Sequence, residues 1–161
     1  MVSSRWLPLP ILLVMLLEAP AWGQFNNARS LLAELRRVGV RVTQACEPGL
    51  LGSFSDRRRE IRICPEAHDS DDEVFRTLVH ESWHVVQNCL ANQGRVGTRR
   101  SRPIARLRPD LVPKMLRETR RSDLRIVRSQ YAPEDQLLEL EARWLENYPE
   151  VVENGLQTIC R

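Results

Sequence analysis

The sequence predicts an α+β domain, mostly helical, with a small antiparallel sheet next to one long buried helix. Three observations carry that expectation. "VRV" at residues 40–42 and "EIRIC" at 60–64 alternate apolar with polar residues, the period of half-buried strands. From Val74 to Leu90 the apolar residues recur instead at helical spacing. Further on, Pro133 and Pro149 each open a run of helix-forming residues. Strands grouped first and helices grouped after them is the α+β order.

Residues 1–23, "MVSSRWLPLPILLVMLLEAPAWG", read as a secretory signal peptide. Arg5 supplies the basic start, Leu7 to Leu17 the apolar run, and "AWG" a small-x-small site for cleavage after Gly23. The run is shorter than the roughly 20 apolar residues of a spanning helix, and Pro8 and Pro10 interrupt it. Residues 24–161 then form a single domain, exported to the periplasm or the extracellular space, with no repeat or low-complexity linker to divide it. Cys46, Cys64, Cys89 and Cys160 all lie in this part, where oxidising conditions favour disulfides, and no C-x-x-C pair supports a cysteine zinc site. Of the three pairings four cysteines allow, Cys46 with Cys64 would join the ends of the strand region and Cys89 with Cys160 would tie the long helix to the chain end.

The elements follow in order. Asn26 or Asn27 caps a first helix with Leu31, Leu32, Leu35 and Val38 on one face, and Gly39 stops it. "GLLGSF" lies between the two alternating segments, bounded by "EPG" and "SDRRR", so two or three strands form an antiparallel meander. Asp69 to Asp72 offer caps and first-turn acids for a helix from about residue 71 to Leu90. One or two short helices occupy Pro109 to Arg128, a helix follows Pro133, and another runs from Pro149 to about Cys160.

The net charge of +3 is unevenly spread. Residues 95–128 carry eleven arginines and Lys114 against Asp110, Glu118 and Asp123, and the rest of the chain is net acidic. Contact with an anionic surface through 95–128 is one reading and a solvated face the other. No aromatic residue stands between Arg95 and Arg128 to stack on bases, which argues against specific nucleic-acid binding.

Function is concentrated in "TLVHESWHVV" at residues 77–86. His80 and His84 are four residues apart, about 6 Å of helical rise, so both imidazoles project from one face and can grip a single ion. Glu81 lies about 100° around the helix, placed to handle a proton beside that ion. The chain has only three histidines, and the third, His68, precedes the motif in a turn.

This H-E-x-x-H helix resembles the active-site helix of the zincin group of zinc metallopeptidases. The layout of strands, motif helix and later helix from Val40 to Tyr148 resembles their minimal fold. The resemblance implies an exported, zinc-dependent peptidase acting on a peptide or protein substrate, with His80 and His84 as zinc ligands and Glu81 as general base and later proton donor. The metzincin branch is excluded, because it requires Gly at Gln87 and His at Leu90. In the gluzincin branch the third ligand is a helical Glu followed three positions later by Ala, and "ELEAR" matches with Glu139 as ligand and Ala142 as the small residue. Glu141 competes, because the apolar pattern places it among core positions in need of a partner, and His68 is a further candidate. The departure is Arg143, where the family's Asp or Asn orients a ligand imidazole; Arg cannot accept that bond. Glu81 and Glu141 pairing with Arg143, or a backbone carbonyl orienting the imidazole, are the alternatives, as is a metal- or partner-binding domain without turnover. Tyr131 and Tyr148 are candidates to stabilise an oxyanion or, equally, to pack their rings.

Overall fold

The protein is described by a computed structural model over residues 26–161, and the signal-peptide expectation for 1–23 lies outside the described residues. The described residues are 58% helical with a small three-stranded sheet, the α+β class. Helix α1 (Asn26–Arg37) buries Leu31 and Leu35, and Gly39 ends it at φ 77°, an angle glycine adopts without a Cβ clash.

Strands β1 (Arg41–Gln44), β2 (Gly52–Ser55) and β3 (Glu60–Ile63) are ordered β1-β3-β2. β2 is antiparallel to β3, but β1 is parallel to it, so the sheet is mixed and not the antiparallel meander expected. Alternation identifies a strand and its buried face, whereas direction is set by the connection. Here the chain leaves β1 and crosses to the far side of β3 before entering β2. The Cys46–Cys64 disulfide, with Cα atoms 4.5 Å apart, ties the start of that crossing to the end of β3. Ile61 and Ile63 point from the central strand into the main core.

That core surrounds α2 (Asp71–Ala91), which touches α1, β2, β3, α5 (Gln136–Leu145) and α6 (Pro149–Ile159). Ser70 caps it, its hydroxyl accepting from the Glu73 N–H, and Asp71, Asp72 and Glu73 meet the positive end of the helix dipole. Enclosure on several sides buries polar residues as well as apolar ones: Ser82, Gln87 and Asn88 are almost fully inaccessible. Each is hydrogen-bonded, as burial requires. Gly155 lets α6 approach; a Cβ there would stand 3.0 Å from the Trp83 ring and 3.2 Å from Val86. A second, smaller core of Ala105, Met115, Val127 and Leu140 seats α3 (Val112–Glu118) and α4 (Arg121–Gln130) on α5.

The second disulfide, Cys89–Cys160, joins the end of α2 to the end of the chain, as the sequence reading favoured. It closes a separation of 71 residues, for which chain entropy gives a stabilisation of about 4 kcal/mol. Replacing both cysteines by serine should lower the unfolding free energy by that order in urea titrations; a loss below about 1 kcal/mol would show that packing of α6 alone holds the ends together. Two disulfides fit an oxidising, extracellular-type environment. Among the described residues no helix is long and apolar enough to cross a membrane.

Candidate metal centre

α2 carries His80 and His84 on one face, and their Nε2 atoms stand 3.2 Å apart. α5 faces them with Glu139, whose Oε2 is 3.5 Å from His80 Nε2 and whose Oε1 is 3.4 Å from His84 Nε2. Donors bound tetrahedrally to zinc at about 2.0–2.1 Å lie roughly 3.3 Å from one another, which is the spacing of these three side chains. Glu139 Oε2, which faces the centre, is buried with no hydrogen-bond partner among the described residues, a state that is unfavourable unless something else satisfies it. Two imidazoles and one carboxylate are also the donor types zinc takes. The residues therefore fit the ion.

His84 is oriented from behind by a hydrogen bond, and His80 has a carboxylate at ion-pair distance behind it. His84 Nδ1 lies 2.8 Å from Gln87 Oε1, and the Gln87 amide donates to Leu138 O (3.1 Å) and Glu141 Oε2 (3.0 Å). With the amide nitrogen so engaged, its oxygen must accept from His84. The neutral ring thus keeps its proton on Nδ1, so that Nε2 is the nitrogen whose lone pair becomes free for an ion once the centre's proton leaves. Glu146, just past α5, faces His80 Nδ1 at 3.6 Å and is itself held by Arg76 (2.5 Å) and Arg143 (3.3 Å). Arg143 thus does not orient an imidazole. It clamps the carboxylate that faces one.

Charges follow this arrangement. Burial alone would lower the His84 pKa, but the hydrogen bond and charge of Glu139, with the charge of Glu81 and the bond to Gln87, raise it to about 9. Burial would raise the Glu139 pKa, and the two imidazoles outweigh it, holding the carboxyl far below its ordinary value. Glu146 is lowered in the same way, burial being overcome by His80, Arg76 and Arg143. Glu141 is different: burial dominates its bonds to Gln87 and to the Ile104 N–H and pushes it up to about 7.

A cavity of about 410 Å³ opens over the three donors. Glu81, 7% exposed, lines it, and its carboxylate makes no hydrogen bond to any described residue. Its lone pairs are left for whatever enters. β2 forms the opposite wall with Gly52, Ser53 and Phe54. A Cβ at Gly52 would fall 2.7 Å from Thr77 Cγ2 and 3.2 Å from Glu81 Cγ, so only glycine lets the strand lie this close to the motif helix. Tyr131 also lines the cavity, and burial, then the charge of Glu139, raises its pKa, so its phenol keeps its proton.

Of the residues singled out from the sequence, His80, Glu81, His84 and Glu139 come together. Glu141 is buried elsewhere, accepting from Gln87 and from the Ile104 N–H at 3.0 Å. His68 stands apart, its ring between Cys64 O (2.7 Å) and the Thr77 hydroxyl (2.8 Å), where it pins the strand region to α2. Tyr148 turns away to Glu118. Gln87 and Glu146 were not singled out as orienting groups; the available signal was their spacing, three beyond His84 and seven beyond Glu139 on the same helix faces.

Residues 39–161 match a family described as a domain of unknown function (DUF8637). No curated protein matches the chain, and no solved structure does.

Proposed function

We propose that this chain, which belongs to the DUF8637 family, is an exported zinc-dependent peptidase of the zincin type. The observation that supports this most is the convergence of His80, His84 and Glu139 from two helices beneath a cavity whose wall carries an unpartnered carboxylate, Glu81. The three donors would hold the ion, which when bound supplies Lewis acidity and brings the pKa of a water towards about 7. Glu81 takes a proton from water in the cleft and returns it to the leaving amine. Tyr131, kept protonated, donates to the carbonyl oxygen as that atom gains charge. Among the described residues β2 is an edge strand, paired only with β3, so an extended substrate can add to its outer edge along Gly52, Ser53 and Phe54.

The test is incubation of the purified protein with an unfolded protein substrate, with and without a chelator, followed by mass spectrometry of the products. Cleavage that the chelator stops and added zinc restores is expected. Stoichiometric zinc with no cleavage of any substrate would favour the second reading, a zincin-like domain that holds metal without turnover.

Zinc takes only neutral imidazole, and the metal-free centre holds a proton on His84 up to about pH 9. Lower pH therefore opposes the metal, and zinc affinity should rise roughly tenfold per pH unit up to that point and then level off. Competition titrations with a chromogenic chelator at pH 7 and 8 check this; equal affinities would show that no proton is displaced.

A further inference from the structure

The cleft does not end at the metal donors. Past Ser101 and Leu138, which line both spaces, it continues into a second cavity of about 300 Å³ walled by Arg99, Arg100, Arg102 and Arg106 against Glu134. Arg100 is engaged by Asp135 at 2.6 Å and Glu134 at 4.0 Å. The guanidinium groups of Arg99, Arg102 and Arg106 are exposed and make no ion pair among the described residues.

The backbone that carries these cations is held by α2 and α5. Buried Asn88 bonds Gly97 through both ends of its amide, donating to the carbonyl (3.0 Å) and accepting from the N–H (2.8 Å). Asn92 grips Arg99 in the same way, at 3.1 Å and 3.0 Å. The Arg102 N–H donates to Gln87 O (3.0 Å), and the Ile104 N–H donates to Glu141. Gln87 thus orients His84 with its side chain and anchors the arginine loop with its carbonyl. A backbone pinned at every second or third residue is already ordered when a ligand arrives, so that only the arginine side chains remain to be fixed.

We propose that this cavity is a substrate subsite that selects acidic side chains in a polypeptide lying through the cleft. The inference rests on the peptidase reading for its location and on the arginines for its specificity. A polypeptide is favoured over a nucleic acid because the cavity is continuous with the candidate active centre and no aromatic ring lines it for base stacking. It also separates residues 99–106 from the remaining basic segment, where Arg121, Arg125 and Arg128 line a different groove on α4.

The experiment measures fluorescence anisotropy of two dye-labelled peptides, one with alternating glutamates and one with glutamine in their place, binding to zinc-loaded Glu81→Gln protein. The glutamate peptide should bind about tenfold more tightly, and the difference should shrink with added salt. Arg102→Glu with Arg106→Glu should abolish the preference, Arg102→Gln with Arg106→Gln should reduce it, and Arg121→Glu with Arg125→Glu should leave it intact. No preference, an equal loss in the α4 control, or tighter binding of a single-stranded oligonucleotide through Arg102 and Arg106 would overturn the subsite. Failure of the peptidase reading is distinguishable: glutamate-dependent binding would persist while the unsubstituted protein cleaved nothing.

Discussion

Glu139→Gln is expected to lower zinc affinity by at least about a hundredfold, beyond the roughly 10- to 100-fold typical of losing an outer-shell partner. The reason is local to one side chain. Glu139 presents both carboxylate oxygens to the imidazoles, at 3.4 and 3.5 Å, and glutamine replaces one of them with an amide nitrogen that cannot bind a cation. Glu141→Gln serves as the comparison. Glu141 reaches the centre only through Gln87 and His84, so its replacement should cost no more than about tenfold in zinc affinity, with a loss of stability as the larger effect. Competition with a chelator of known affinity measures both. A larger loss in Glu141→Gln would reverse the assignment of the third donor.

Glu81→Gln should retain zinc and lose hydrolysis by roughly 10²- to 10⁴-fold, the range attributed to a positioned general base. The carboxylate lines the cavity but is not among the converging donors, so nothing in its placement ties it to holding the ion. Glutamine keeps the shape and removes the proton acceptor. Unchanged turnover in a zinc-loaded variant would move the base elsewhere. Zinc loss equal to that of His80→Ala would make Glu81 a ligand.

Why some of this was legible in the sequence and some was not follows from how local each feature is. His80, Glu81 and His84 share one turn of helix, so spacing alone placed them together. Ser70 lies within the run of caps expected at the start of α2, and the favoured pairings of Cys46 with Cys64 and Cys89 with Cys160 are those in the structure. The choice between Glu139 and Glu141 was narrower: amphipathic pattern made Glu141 the buried carboxylate in want of a partner, which it is, but its partners are Gln87 and the Ile104 N–H. Both come from other segments, and no periodicity reports them. Arg143 looked like a departure that left an imidazole unoriented, because its role depends on Glu146, which it shares with Arg76 from α2, lying behind His80 in space. The parallel pairing of β1 with β3 was hidden for a related reason, since the path of the connecting chain is not encoded in strand alternation. Gly155 and Gly52 carry the same lesson: a close approach of two backbones is visible only once both are placed.

The most direct test of the central claim is anomalous scattering at the zinc edge from crystals of the zinc-reconstituted protein. One peak is expected, equidistant from His80 Nε2, His84 Nε2 and the Glu139 carboxylate. A structure with those three side chains in contact with one another and no peak between them, or with the peak at His68 or Glu141, would contradict it.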